Sequence, residues 1–313
     1  MSVRVSIIGS SDIAFEHLKA LNEVGINVSS VAASRNSISA KQFSEKHNLK
    51  YYNNVNQLIK NFNDDGLVIA CKSDFLLPVL HKSMQLNTKI LIEKPVTNNP
   101  KKIHNLLNSK NIMVGFNRRH YQSVESLKKI IDKNIGTKYY GNLQIPENIR
   151  STKISKKNHL HELINNGIHN IDLVNYLFGK VNIKNISYQN LNLSSYSFTL
   201  YNSKCHIEVT SISNAIQNTQ FDIYTNKSRY QLLPIEKLNI YDKLEIQEPT
   251  DSFPLRSYTP RLSKSYTEKN FLFKPGFLRQ AEVFYNFIKN NNRSKPSGII
   301  DAYNSLVLLN KLR

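Results

Sequence analysis

The sequence predicts an α/β chain in two parts, a doubly wound parallel sheet over residues 1–118 and a second domain over 119–313 built on antiparallel strands. From residue 3 to 115, short apolar runs alternate strictly with amphipathic stretches, the order that a parallel sheet with helices on both faces requires. Gly9 directly follows the first apolar run and opens a helix pattern. After Arg119 the hydrophobic period falls to two, as in strands with one covered face.

Residues 3–8, 28–33, 67–70, 89–92 and 112–114 are apolar runs of strand length. Between them, 13–23, 39–47, 55–61, 75–86 and 101–107 carry helical spacing. A helix over 123–133 opens the second part. Tyr196-Ser197-Phe198-Thr199-Leu200 alternates, and it answers residues 205–209 across a turn at Asn202-Ser203. Further strands are expected over 221–224, 230–233 and 238–246. Residues 248–270, with Pro249, Pro254 and Pro260, show no period and read as a long loop. Helices over 276–290 and 300–311 close the chain, and no segment repeats another.

With 313 residues, 40% of them hydrophobic, the chain can bury two cores. No segment has the unbroken apolar length of a membrane span, and the N-terminus enters a strand pattern without a leader's basic and apolar regions. A cytoplasmic protein is expected. Cys71 and Cys205 are too few for a disulfide framework, and neither has a ligand neighbour at metal spacing, so no metal is expected. The formal net charge of +19 invites a nucleic-acid partner, but the lysines are spread along the whole chain among abundant Asn and Ile. No nucleic-acid partner is therefore expected. Such a surface does favour anionic ligands such as nucleotide-linked sugars.

Glu93-Lys94-Pro95 closes the run 88–92. Ligands of open parallel sheets lie outside the carboxyl ends of the strands, so a lysine there is aimed at a ligand. For the triplet alone, an ordinary strand end with a solvated lysine is the alternative. Pro95 stops the strand, restricts Lys94 and permits a cis bond. In Gly9-Ser10-Ser11-Asp12-Ile13-Ala14, Gly9 supplies a tight turn and Ala14 close helix–strand packing, but Ser11 stands where glycine would admit a pyrophosphate. Its amide and hydroxyl still suit a phosphate at a helix N-terminus, with a plain polar cap as the alternative. After the second strand, where a carboxylate would hold the ribose of NAD, the chain has Ser34-Arg35. An arginine there pairs with a 2′-phosphate, so NADP(H) is the expected cofactor and NAD(H) the second choice. Capping of the next helix by residues 34–37 is the bland alternative.

Over 163–179, Ile164, Ile168, Ile171, Val174 and Phe178 make a helical core stripe. Beside it Asn165, His169, Asp172 and Tyr176 share one face. Gly167, costly in a helix, marks a close approach, and Gly179 is placed to end the helix. A lone histidine here would more often be structural. With a carboxylate one turn on and a lysine at a cofactor edge, it suits alcohol oxidation or carbonyl reduction, which needs a proton acceptor and a donor to hold the oxygen.

The loop Gly9 to Ala14, Glu93-Lys94-Pro95, Gly115-Phe116-Asn117-Arg118-Arg119 and Gly167-Ile168-His169-Asn170-Ile171-Asp172, in this order and spacing, resemble the glucose-fructose oxidoreductase, inositol dehydrogenase and rhizopine catabolism (Gfo/Idh/MocA) family. The likeness runs through the whole chain, with Phe277, Gln280 and Phe284 resembling the family's C-terminal helix. It implies a Rossmann domain followed by an α/β domain with an open, mostly antiparallel sheet. It also implies Lys94 and His169 at the substrate, and Glu93, Lys94, Asn117 and Arg118 toward the cofactor.

Three departures qualify the likeness. Many members carry aspartate at the position of Asn165, and an amide cannot share a proton with His169. Asparagine there resembles the branch acting on nucleotide-linked amino sugars for surface polysaccharides. The family's Thr-Pro and histidine after the fourth strand are replaced by Cys71-Lys72-Ser73-Asp74-Phe75-Leu76, so the wall near the nicotinamide is expected to differ. Its glycine run before the catalytic helix is Asn158-His159-Leu160-His161-Glu162. Two histidines at i, i+2 point apart on a helix, so a solvated helix start is expected rather than a metal site.

The expected function is an NAD(P)-dependent oxidoreductase that transfers a hydride between nicotinamide and a sugar or nucleotide-sugar hydroxyl or carbonyl, in surface polysaccharide biosynthesis. Lys94 and His169 would handle the proton, with Asp172 orienting His169 or a substrate hydroxyl and Asn165 beside them. The alternative is a dinucleotide-sensing binding protein without turnover, in which Ser11, Leu76 and Asn165 would be tolerable. A homo-oligomer is expected. Tyr196, Phe198 and Leu200 offer one apolar row for self-pairing, although cover by the chain's own helices explains the row equally well.

Overall fold

The computed structural model describes residues 2–149, 154–268, 270–290 and 296–313. They form two compact units, Met1–His120 with Asn270–Asn310, and Tyr121–Lys269 with Lys311–Arg313. The closing helices, which the sequence placed in the second domain, therefore lie in the first unit.

In the first unit β1 (Val3–Ile8), α1 (Asp12–Glu23), β2 (Ile26–Ala32), α2 (Ile38–His47), β3 (Lys50–Tyr52), α3 (Val55–Lys60), β4 (Gly66–Ile69), α4 (Ser73–Ser83), β5 (Lys89–Ile92) and β6 (Ile112–Val114) follow in order. The sheet runs β3-β2-β1-β4-β5-β6, with every pair parallel. β4, β5 and β6 are buried on both faces, which is why they read as unbroken apolar runs. β3 was not expected, because three residues leave no alternation to detect. The helix expected over 101–107 is a 3-10 helix, Pro100–Leu106, which Asn99 opens by accepting from the Lys101 amide.

The second unit contains α5 (Gln122–Lys133), β7 (Tyr139–Glu147), α6 (Lys156–Glu162), a π-helical turn (Leu163–Gly167), α7 (Ile168–Phe178), β8 (Asn182–Asn190), β9 (Ser194–Tyr201), β10 (Cys205–Ser213), β11 (Gln220–Tyr224), β12 (Arg229–Leu232), β13 (Lys237–Gln247) and β14 (Ser257–Thr267). Its sheet runs β14-β13-β12-β11-β7-β10-β9-β8, with only β7 and β10 parallel among the pairs described. The expected turn holds, since Asn202 Oδ1 accepts from the amides of Lys204 and Cys205.

The expected long loop over 248–270 is corrected, because β14 pairs with β13 along most of its length. Pro260 falls in this edge strand, where a missing donor is tolerated, and both faces are largely exposed, so no hydrophobic period betrays it. β7 escaped because its inward positions include Gly141 and Glu147. β8 escaped because it is an edge strand with little burial.

α8 (Phe277–Ile288) and α9 (Ile299–Asn310) return to the first unit. Phe277, Ala281, Val283 and Phe284 of α8 share one buried cluster with Ala14, Leu18 and Leu21 of α1 and with Val3, Val5 and Ile7 of β1. Gln280 lies buried among them on the same helix. Among the described residues no helix is long and apolar enough to cross a membrane.

Tyr196, Phe198 and Leu200 are buried within their own unit, so this row is not a free surface for self-pairing. The Tyr196 hydroxyl donates to the Lys156 carbonyl of α6, and its ring meets His159 edge-on.

The solvated helix start expected over residues 158–162 is also corrected at His159, which is 0% exposed. Its Nδ1 and Nε2 lie 2.8 Å from Ser194 Oγ and Ser211 Oγ. A neutral imidazole satisfies both hydroxyls, one ring nitrogen donating and the other accepting. His161 faces outward, so the two histidines point apart as their spacing demands.

Burial pushes the His159 imidazole down to about 4. The unfolded chain therefore binds a proton at a higher pH than the folded one does. The stability tied to the neutral ring is fully present above the ordinary histidine value and is lost as pH falls toward about 4, a change on the order of 3 kcal/mol across that window. Urea melts at pH 7 and pH 5 are expected to show about 2 kcal/mol of this loss, and His159→Gln to flatten it.

Candidate active site

Gly9 sits at the turn between β1 and α1 with φ 133°, a conformation that L side chains rarely adopt. A Cβ there would lie 2.2 Å from the Ala70 carbonyl oxygen, so only glycine allows the turn to pack on the end of β4. Its amide donates to the Ala32 carbonyl at 2.8 Å. Ala14 is fully buried against the sheet, as the spacing predicted. Ser11 is the N-cap of α1 but makes no side-chain capping bond. Ser11 and Asp12 are exposed, while Ser10 and Ile13 are half-buried. The Asp12 carboxylate complements the positive end of the helix.

Ser34 and Arg35 are exposed in the loop after β2. Ser37, not Ser34 or Arg35, caps α2 by accepting from the Ala40 amide. Ser10 Oγ lies 2.9 Å from Ser39 Oγ, which is 3.1 Å from Ser37 Oγ, so a row of hydroxyls links the glycine turn to the start of α2. Sequence reasoning missed Ser39, whose partner is a loop away. This donor set fits a dinucleotide, with an exposed helix N-terminus that suits a pyrophosphate and a row of hydroxyls beside it.

The Lys94 segment closes β5 in the same unit. The Glu93 amide donates to Ile69 O and the Gly115 amide to Ile92 O, which holds the strand end from both sides. The Lys94-Pro95 peptide is cis, and Val96 follows with φ 59°, a rare state for a β-branched residue. Val96 is fully buried, so its neighbours fix that conformation. Glu93 Oε1 accepts from His17 Nε2 of α1 at 2.8 Å. Burial pushes the Glu93 carboxyl up, but the His17 hydrogen bond and charge, with the Lys94 charge and amide, outweigh it and hold the group below its ordinary value. Sequence reasoning missed His17, although a polar residue among buried Ala14, Leu18 and Leu21 was a readable signal. Burial pushes the Cys71 thiol up to about 11, which leaves it protonated and inert as a nucleophile.

The Asn117 side chain donates to the Pro275 carbonyl at 3.0 Å, tying the 3-10 turn Asn117–His120 to the segment before α8. Arg119 pairs with Asp301 at 2.9 Å, and Arg118 is half-buried.

In the second unit, Ile164, Ile168, Ile171, Val174 and Phe178 are all buried as expected. The helix is interrupted by the π turn, a feature often found at functional sites. Asn165 lies within that turn, half-buried, with its amide nitrogen 3.1 Å from His161 Nδ1. His169 and Asp172 are 9% and 1% exposed on α7. Tyr176 is only half-buried, with the Lys128 ammonium 5.6 Å from its ring centre. A Cβ on Gly167 would lie 2.4 Å from Leu163 Cδ1 and 2.6 Å from Glu147 Oε1. Gly167 thus admits Glu147, a buried carboxylate at the end of β7 that sequence reasoning missed. The period-two pattern of Tyr139, Leu143 and Ile145 pointed it inward. Among the described residues, no three His, Cys, Asp or Glu side chains gather as a metal would require.

No curated protein matches the chain in sequence. Its fold is shared by an oxidoreductase from Thermotoga maritima, at 15% identity and a TM-score of 0.78 over 100% of this chain and 96% of that one. A UDP-N-acetylglucosamine 3-dehydrogenase from Acidithiobacillus ferrooxidans follows, at 16% identity and a TM-score of 0.73 over 100% and 97%. A myo-inositol dehydrogenase from Lactobacillus casei, solved with NAD(H) and myo-inositol, gives 18% identity and a TM-score of 0.71 over 100% and 94%. Residues 3–112 match the family described as oxidoreductase family, NAD-binding Rossmann fold (GFO_IDH_MocA). The Rossmann domain, with its glycine turn and its lysine at the end of β5, is thus similar to that of the Gfo/Idh/MocA oxidoreductases, and the fold of the whole chain is shared with solved dehydrogenases.

Proposed function

We propose that this oxidoreductase acts on a CH–OH group of a sugar, and more narrowly of a nucleotide-linked sugar, with NADP(H) preferred over NAD(H). The observation that carries the reading is Lys94 at the carboxyl end of β5, on the same sheet edge as the glycine turn after β1 and within a unit whose residues 3–112 match an NAD-binding family. The buried His169 and Asp172, one turn apart on α7, support a proton-handling role for that face. Asn165, together with a fold shared with a UDP-N-acetylglucosamine 3-dehydrogenase, supports the nucleotide-sugar class and a place in surface polysaccharide synthesis. Such a protein would work in the cytoplasm as a homo-oligomer.

When bound, the nicotinamide takes or returns the hydride. Lys94 hydrogen-bonds the reacting oxygen and relays its proton. His169 accepts the hydroxyl proton during oxidation and returns it during reduction, and Asp172 orients His169 or a substrate hydroxyl. The amide of Asn165 takes no part in proton transfer and serves as a hydrogen-bonding group. Arg35, exposed beside a loop without a carboxylate, supports the choice of NADP(H).

Lys94→Ala is expected to lower the turnover of UDP-N-acetylglucosamine with NADP+ by about 100-fold or more while cofactor affinity stays close to wild type. Wild-type turnover in that variant would remove Lys94 from the chemistry, and tight cofactor binding without turnover of any sugar would favour a sensing protein. Arg35→Ala is expected to weaken NADPH about tenfold and leave NADH unchanged, as read by fluorescence titration. Equal losses for both would overturn the 2′-phosphate assignment.

A further inference from the structure

Glu93 was expected to serve the cofactor, but both of its carboxylate oxygens are engaged within the protein. Oε1 accepts from His17 at 2.8 Å, and Oε2 accepts from the Lys94 amide at 3.3 Å. The His17 and Glu93 side chains are only 4% and 12% exposed. The His17 ring lies 4.9 Å from that of Phe277, which leaves it little freedom to turn away. Gly115 makes room for the pair, since a Cβ there would sit 3.1 Å from Glu93 Oε1. A buried polar pair is weak evidence for stability, because desolvation offsets its attraction, and its better-attested use is to fix one geometry.

The geometry here joins two functional segments. His17 belongs to the helix that opens at the glycine turn, and Glu93 adjoins Lys94. We propose that His17 and Glu93 form a positioning pair that locks the Lys94 segment to the dinucleotide-loop helix, so that the ammonium keeps one direction while the loop binds or releases its ligand. The buried Val96 with its positive φ belongs to the same over-determined segment. This rests on the reading of Lys94 as the group that holds the reacting oxygen.

The test uses Glu93→Gln, His17→Gln and the double variant, with Lys94→Ala in the same assays. Glu93→Gln is expected to lower kcat for UDP-N-acetylglucosamine oxidation by about tenfold to a hundredfold, as misplacement of a catalytic group does, with KM, the NADPH Kd and the melting temperature unchanged. The double variant is expected to lose no more than the worse single one, because the two residues act as a unit. Without substrate, amide hydrogen exchange across residues 93–97 is expected to rise in Glu93→Gln. Unchanged exchange in that segment overturns the proposal, as does wild-type kcat. Weaker NADPH binding in step with kcat makes Glu93 a cofactor group and also overturns it, as does a loss that tracks the melting temperature. If Lys94→Ala is inactive while Glu93→Gln is not, only the positioning role fails. If Lys94→Ala turns over like wild type, the reading of Lys94 and this one fall together.

Discussion

The close approach of Gly9 to the end of β4 is the constraint on which the nucleotide-binding edge depends. With no Cβ, the turn can press against the Ala70 carbonyl, and its amide can reach back to Ala32. That seats α1 with its first turn exposed at the carboxyl edge of the sheet, where an anion gains most from the helix end. It also sets where His17 projects one turn further along. The strand ends around Lys94 are then tied by backbone bonds on both sides, so a held strand end rather than a free loop carries that lysine.

The second unit handles its polar groups differently. His159 is neutral, enclosed and satisfied by two serine hydroxyls, which marks it as part of the core. Ten residues on, His169 lies on the same helical run but beyond the π turn, among buried Asn170 and Asp172. The two histidines differ in surroundings rather than in type. The π turn and the missing Cβ of Gly167 let Glu147 approach the helix where His169 begins its turn.

The parts of the fold and site legible in the sequence were those set by neighbours in the chain. The alternation of strands and helices, the glycine turn, the end of β5 and the buried stripe of α7 all follow from local spacing. What the sequence hid was set by distant partners. His17 meets a carboxylate 76 residues away, and His159 is buried by serines 35 and 52 residues away. β14 could not be read because an exposed edge strand obeys no burial period and tolerates Pro260. Arg35 was legible as a residue type, but the row from Ser10 through Ser39 to Ser37 beside it exists only once two loops come together.

The return of α8 to the first unit bears on how the molecule is made. Phe277 and Phe284 complete a core whose other members lie in the earliest residues of the chain, Val3, Val5 and Ile7 among them. Apart from its last three residues, the second unit therefore lies within the sequence of the first, and during synthesis the Rossmann sheet emerges long before the helix that seals it. Until residues 277–288 leave the ribosome, one apolar flank of that sheet stays open, although its strands are already able to pair.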